Sequence, residues 1–323
     1  MTKILANDGI DASGKVALEK AGFTVITDKV EQANLAKAIN DNGYQVILVR
    51  SATQIRKDVM DQCPGIKMIG RGGVGMDNID VEYGRSKGID VFNTPGASSQ
   101  SVAELVMAHM FGMARFLADS NRNMPSKGIT EFNALKKKYT KGTELRGKTL
   151  GIVGFGRIGQ SLASYALGCG MKVIAADSFI PEAEVQIHIE GAPTVSIKIK
   201  TISNDEIFKN ADFISLHVPK QAGGKAVIGA EEIKKLKKGV CLVNTARGGV
   251  IEEKSLIAAL NEGIVAYAAL DVFDNEPTPL QEILSHPNIS LTPHTGASTN
   301  EAQDRIGIEI AERIISFYQK QPA

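Results

Sequence analysis

Residues 150–159 read LGIVGFGRIG. Gly154, Gly156 and Gly159 form G-x-G-x-x-G directly after an apolar run (TLGIVG, 149–154) and directly before a helical pattern running through Ser161-Leu162-Ala163. Each glycine in such a turn has a mechanical reason: one makes the tight turn, one lets the backbone approach a pyrophosphate, one allows close helix–strand packing. The helix opening at Arg157 and Ile158 then offers unpaired N–H groups and a positive dipole end to phosphates. The next apolar run, MKVIAAD (171–177), ends on Asp177, 18 positions after Gly159. That is near the roughly 20 expected for the acid that binds a ribose diol. An aspartate there repels a 2′-phosphate, so the pattern predicts a βαβ unit for NAD rather than NADP.

Outward from this unit, short apolar runs alternate with helical patterns almost throughout. KILAND (3–8), QVILVR (45–50), KMIGRGG (67–73) and DVFNT (90–94) precede it; DFISLHV (212–218), GVCLVNTA (239–246), YAALDVF (267–273) and ISLTP (289–293) follow. Two such series predict an α/β chain of two doubly wound parallel-sheet domains. A length of 323 residues agrees, at roughly 150 per domain. Ser101-Val-Ala-Glu104 and Ser298-Thr-Asn-Glu301 have capping-box spacing and are expected to open helices. The last helix, with Ile306, Ile310, Ile314 and Phe317 on one stripe, is expected to return to the first domain. Residues 120–146 read as an arm or long connection. Residues 181–205 alternate IHI and IKIK and predict an extra edge strand pair of no assigned function.

Composition narrows the partners. Lys+Arg is 37 against Asp+Glu 36, a net +1, so no field of one sign is available to grip nucleic acid or an anionic membrane. No window approaches the ~18 apolar residues of a membrane span. Cys63, Cys169 and Cys241 are scattered without metal spacing and read as reduced thiols of a cytoplasmic protein.

Three charged side chains follow strands of the second series. Arg247 follows CLVNTA, Glu276 lies three residues past LDVF, and His294 follows SLTP. In an open α/β sheet the ligand crevice lies beyond the strand C-termini. Singly, each would read as a surface residue; together they suit the oxidation of a 2-hydroxy acid. An arginine fork holds a carboxylate bidentately, an imidazole takes and returns the hydroxyl proton, and a carboxylate beside it holds its tautomer and favours its protonated form. Among the other histidines, His217 reads as structural or cofactor-adjacent, His109 as a core or interface residue, and His188 and His286 as solvated.

GFGRIG with Asp177, NTARGGVIEEKSL (244–256), ALDVFDNEP (269–277) and PHTGAST (293–299) resemble the D-isomer-specific 2-hydroxyacid dehydrogenase family over nearly the whole chain. The resemblance implies a Rossmann NAD-binding domain, residues 98–297, inserted into a flavodoxin-like substrate domain formed by 1–97 and 298–323. It also implies a homodimer through the larger domain, with 120–146 as its arm. The family's catalytic Arg, Glu and His fall on Arg247, Glu276 and His294. Its cofactor contacts fall on Val74, Gly154, Gly156, Arg157, Ile158, Gly159, Asp177, Val218, Pro219, Thr245, Asp271 and the Gly296 backbone. VRSATQI (49–55), IGRGGVGMDNID (69–80) and VFNTPGASSQSVAEL (91–105) are most similar to the D-3-phosphoglycerate dehydrogenase branch. That similarity assigns Arg50, Ser51, Arg71, Gly73 and Val74, with Arg247, to a phosphorylated substrate, the Gly72–Gly75 turn offering backbone N–H groups to an anion. The implied reaction is oxidation of D-3-phosphoglycerate with NAD, the first step of serine biosynthesis. The sequence stops at Ala323, so C-terminal regulatory domains and serine feedback through them are not expected. KQAGGKAVIG (220–229) stands where the family carries a Thr-containing loop. The alternatives are a hydroxypyruvate, glyoxylate or D-lactate-type dehydrogenase with the same triad, or a NAD-sensing corepressor-like protein.

Overall fold

The computed structural model describes residues 1–320 and divides the chain into two units. The first is Met1–Ser99 together with the segment from Ala297 onward. Its strands are β1 (Lys3–Ala6), β2 (Thr24–Ile26), β3 (Tyr44–Val49), β4 (Met68–Arg71) and β5 (Asp90–Asn93), ordered β2-β1-β3-β4-β5 and parallel throughout. β3 is buried over nearly its whole length, as expected of a strand covered on both faces. β2 was not anticipated: three residues are too few for a period to show. The helix Asn300–Gln319 lies across the helix Ala12–Lys20, meeting it at a glycine pair. A Cβ on Gly14 would stand 2.4 Å from the Gly307 carbonyl oxygen, so this crossing requires glycine. The Asn300–Gln319 helix is capped by Thr299, whose hydroxyl accepts from Ala302 N at 3.2 Å, and not by Ser298 as the spacing suggested.

The second unit is Gln100–Gly296. Its strands are β6 (Thr149–Val153), β7 (Lys172–Ala176), β8 (Glu182–Ile187), β9 (Val195–Lys200), β10 (Phe213–Leu216), β11 (Val240–Asn244), β12 (Val265–Leu270) and β13 (Ile289–Leu291). The main sheet is parallel in the order β13-β12-β11-β10-β6-β7. Order reverses between β6 and β10, the switch point where such sheets bind ligands. β8 and β9 form the expected antiparallel pair, from Glu182↔Lys200 to Ile187↔Val195. Val185 and Ile199 turn into the core while Glu182 and Lys198 pair outside at 2.5 Å, which is what the alternation encodes. Beyond β9 one parallel bridge, Ala175↔Thr201, takes the place of a third strand beside β7.

Two readings of this unit change. The apolar helix begins at Ser99 and runs to Ala114, so Ser101 is inside it and cannot cap it; its hydroxyl instead donates to the Gly296 carbonyl at 2.7 Å. The arm is helical, Leu117–Lys127 and Phe132–Lys138. Asp119 holds the two helices together, accepting from Lys138 Nζ at 2.6 Å and from the Tyr139 hydroxyl at 2.8 Å. Among the described residues no single helix is long and apolar enough to cross a membrane.

Candidate active site

The glycine turn joins β6 to the helix Arg157–Gly168. Gly154 has φ +95°, and a Cβ on it would stand 2.5 Å from the His217 carbonyl oxygen at the end of β10. A Cβ on Gly159 would stand 2.3 Å from the Gly154 carbonyl. Both are therefore required by the protein's own packing. Gly156 is not: among the described residues no atom lies within 4 Å of its Cβ position. It caps the helix without a side-chain hydrogen bond, which leaves the first-turn N–H groups to a ligand. A glycine that the fold does not need, at an uncapped helix start on the switch point, fits the approach of a dinucleotide pyrophosphate. Arg157 and Ile158 open that helix.

Asp177 follows β7 and is half-buried. One of its oxygens accepts from Phe155 N at 2.7 Å, the other from Phe179 N and Ile180 N at 2.8 and 3.0 Å. The carboxylate thus ties the glycine turn to its own strand end and keeps an acceptor position for a hydroxyl donor. Val218 and Pro219 follow β10, and Thr245 follows β11. The Thr245 hydroxyl and His217 Nδ1 are buried with no hydrogen-bond partner among the described residues. Burial pushes the His217 imidazole down to about 4, so it is neutral near pH 7, with Nε2 2.9 Å from Ser215 Oγ.

Arg247, Glu276 and His294 follow the C-terminal ends of β11, β12 and β13, three neighbouring parallel strands. The buried Asn244 side chain builds the first turn, accepting from Ala246 N at 3.0 Å and donating to the Arg247 carbonyl at 2.9 Å. A Cβ on Gly248 would stand 1.9 Å from the Phe273 carbonyl oxygen, so the arginine turn packs directly on the turn that carries Glu276. That second turn is held by two carboxylates. Glu276 Oε1 accepts from Phe273 N at 3.0 Å, and the buried Glu253 accepts from Asp274 N at 2.9 Å. Burial pushes the Glu253 carboxyl above its ordinary range, against the hydrogen bond from Asp274 N, while the Asp274 charge adds to the rise.

Glu276 Oε2 lies 2.8 Å from His294 Nδ1. A carboxylate only accepts, so Nδ1 carries the proton of the neutral ring and Nε2 presents a lone pair. The side chains of His294 and Glu276 are 44% and 37% exposed, open to a ligand. His294 has φ +55°, and its loop is fixed by Asp271, which is 1% exposed. One Asp271 oxygen accepts from the Thr292 hydroxyl at 2.6 Å and Thr295 N at 2.8 Å, the other from Gly296 N at 2.9 Å. Asp271 and Gly296, which the resemblance assigns to the cofactor, thus meet each other here. Sequence reasoning missed Asn244, Gly248 and Glu253 as supports, although all three lie inside or beside the quoted NTARGGVIEE stretch.

The first unit brings its own candidates together. Arg50 and Ser51 follow β3, and Asp8 fixes their loop, accepting from Arg50 N at 2.8 Å and Thr53 N at 3.0 Å. Asn78 Nδ2 donates to the Arg50 carbonyl at 2.8 Å. Burial pushes the Arg50 guanidinium below its ordinary value, against the pull of Asp8 and Asp11. Arg71 ends β4. Arg50 Nε lies 3.7 Å from the Cβ position of Gly72, and Arg71 Nη1 lies 2.6 Å from that of Gly73. Both guanidiniums therefore border one glycine turn. The expectation that this turn offers bare amides needs correction at Gly72 and Gly73: Gly72 N donates to the Val49 carbonyl at 3.0 Å and Gly73 N to the Thr94 hydroxyl at 2.8 Å. A buried N–H must be paired, and here a β3 carbonyl and the Thr94 side chain take these two; Gly73 serves by leaving room for Arg71. Val74 beside them is exposed.

Residues 107–296 match the family model described as D-isomer specific 2-hydroxyacid dehydrogenase, NAD binding domain. The chain is 43% identical over 317 residues to a hydroxypyruvate reductase of Thermotoga maritima, covering 97% of each. It is 41% identical to a D-3-phosphoglycerate dehydrogenase of Methanocaldococcus jannaschii, covering 97% of this chain but 57% of that one. Among solved structures, a glyoxylate reductase from Paecilomyes thermophila aligns with a TM-score of 0.81 at 29% identity, covering 99% of this chain and 96% of that one.

Proposed function

The chain belongs to the D-isomer specific 2-hydroxyacid dehydrogenases, and from that premise we propose that this NAD-dependent oxidoreductase interconverts D-3-phosphoglycerate and 3-phosphohydroxypyruvate, the entry into serine synthesis. The observation that carries the choice of substrate is the pair of guanidiniums, Arg50 and Arg71, bordering one glycine turn. A phosphorylated hydroxy acid bears a phosphate besides its carboxylate, and an unphosphorylated one has no use for this pair of cations in addition to Arg247.

In this reading Arg247 takes the substrate carboxylate in its planar fork and fixes the reacting carbon. His294 Nε2 receives the hydroxyl proton as the carbonyl forms, and returns it in reduction. Glu276 keeps the other proton on Nδ1 and stabilises the imidazolium that results. Gly156 and Asp177 would hold NAD, which when bound would supply the hydride acceptor. A second reading, hydroxypyruvate reduction, is favoured by the similarity to the Thermotoga maritima protein across 97% of both chains.

Loss of NADH absorbance with phosphohydroxypyruvate and with hydroxypyruvate decides between them. A kcat/KM preference of roughly a hundredfold for the phosphorylated acid, about 2.7 kcal/mol in the transition state, is expected. Equal or reversed preference moves the chain to the second reading and removes Arg50 and Arg71 from substrate binding.

We also propose a homodimer through the second unit. Phe111, Leu117, Met124, Ile129 and Phe132 are exposed on the helices from Ser99 to Lys138 and the turn between them, and exposed apolar side chains gathered on one segment suit a protein–protein contact. Light scattering on Ile129→Asp/Phe132→Asp is expected to give a monomer where the unmodified chain gives a dimer; a monomeric unmodified chain overturns it.

A further inference from the structure

His109 lies on the helix Ser99–Ala114 and is 5% exposed. Its ring is engaged at both nitrogens: Nδ1 is 3.0 Å from Ser290 Oγ and Nε2 is 3.2 Å from Thr292 Oγ1. Counting protons fixes the direction of each contact. The Thr292 hydroxyl has one hydrogen, and the Asp271 carboxylate 2.6 Å away can only accept it. Thr292 Oγ1 must therefore accept from His109, so Nε2 carries the ring proton. Nδ1 is then a lone pair accepting from Ser290. His109 is a neutral imidazole of one defined tautomer, consistent with the burial that pushes its pKa below the ordinary value against the pull of Asp271.

Thr292 directly follows β13; its N–H still donates to the Leu270 carbonyl at 3.1 Å, and its own carbonyl accepts from His294 N at 3.1 Å. A residue that moves Thr292 moves His294 directly. The far end of the same loop is held by the same helix, through Ser101 and the Gly296 carbonyl. Ser101 and His109 are two turns apart, about 12 Å along the helix axis, so one rigid element grips the loop at both ends.

We infer that His109 is a positioning residue for the reaction: through Thr292 it fixes the loop that aims the His294 imidazole. The inference rests on the reading of His294 as the acid/base group. An apolar side chain at 109 would fill the same space but take away the donor to Thr292 Oγ1, leaving that hydroxyl held by Asp271 alone.

The test compares His109→Leu, His109→Gln and His294→Gln in NADH oxidation with the better of the two keto acids, alongside NADH affinity by fluorescence and thermal unfolding. His109→Leu is expected to lower kcat roughly 10- to 100-fold, the order a misplacement of about 1 Å produces, with NADH affinity within about twofold. His109→Gln carries one donor and one acceptor, as the neutral imidazole does, and is expected to recover most of kcat. Unchanged kcat in His109→Leu overturns the inference. So does equal impairment of both variants in step with a lowered Tm, which is packing alone. If the leucine variant does not fold, His109→Asn, polar but too short to reach Thr292, is expected to show the same loss of kcat, and full kcat in it overturns the inference. Full turnover by His294→Gln would overturn the acid/base reading itself, which His109 variants leave untouched.

Discussion

Alanine at Gly156 separates cofactor binding from stability, and alanine at Gly159 supplies the contrast. The Gly156 Cβ position has no described atom within 4 Å, and φ −73°, ψ −160° is open to any residue. Two small effects oppose each other: alanine caps a helix less well than glycine by about 0.5 kcal/mol, and a stiffer unfolded chain returns about 0.4–1 kcal/mol. Stability should therefore change by less than about 0.5 kcal/mol, or about 1–2 °C in Tm. A Gly159 methyl stands 2.3 Å from a backbone carbonyl and 3.0 Å from Ile152 Cγ2. Neither neighbour is the end of a long, flexible side chain, and the overpacking costs roughly 1–3 kcal/mol. Toward the cofactor the order reverses. The Gly156 methyl holds the pyrophosphate away from the helix start and removes a charge-assisted hydrogen bond of about 1.5–3 kcal/mol, so Kd for NADH rises roughly 10- to 100-fold. Fluorescence titration with NADH and thermal unfolding without it measure both quantities. Unchanged NADH affinity in Gly156→Ala would refute the path of the pyrophosphate over that glycine. A destabilised Gly156→Ala beside a neutral Gly159→Ala would refute the packing argument.

Arg247→Lys should lose more than about a hundredfold in turnover while NADH still binds, because a point charge cannot reproduce a bidentate fork; unchanged turnover removes Arg247 from the mechanism. Asp177→Asn should narrow the preference for NADH over NADPH by about tenfold in kcat/KM, and should lower Tm, since an amide has one acceptor oxygen for three backbone N–H groups; an unchanged cofactor ratio removes Asp177 from discrimination. Glu253→Gln bears on pH. A carboxyl whose folded value is raised contributes stability that is present at low pH and lost as pH rises above its ordinary value of 4.5 through the folded one. The glutamine variant should therefore be as stable as the unmodified chain or more so at pH 7, with a flatter decline above pH 4.5, followed by Tm across pH; a steeper decline contradicts the assignment.

The chemistry of this chain is legible because the sheet places it at strand ends, where local runs announce it. The glycine turn, Asp177, and the residues after β11, β12 and β13 each belong to a short contiguous pattern. What escaped reading depends on partners far along the chain. Ser101 matched a capping box, yet the helix starts two residues earlier and its hydroxyl serves Gly296, 195 positions away. Gly72 and Gly73 looked like free donors because Val49 and Thr94, which take their N–H groups, come alongside only in the sheet. His109 read as a core or interface residue and is buried, but nothing in its apolar helix points to its partners Ser290 and Thr292, 181 and 183 positions on. Residues 120–146 read as an arm or long connection, but their helices escaped, because the second buries only Leu135, too little for a period to show.

His294 stands in the left-handed region at φ +55°, where a non-glycine side chain costs on the order of 1 kcal/mol. The backbone at that point would be more comfortable with glycine or asparagine. Folding and chemistry thus ask for different residues at one position. A library selected for thermal resistance alone would drift there toward asparagine or glycine, gain stability, and lose the group proposed to transfer the proton. Under the proposed role of His294, selection for turnover opposes that drift, so the residue recovered at position 294 reports which of the two pressures acted.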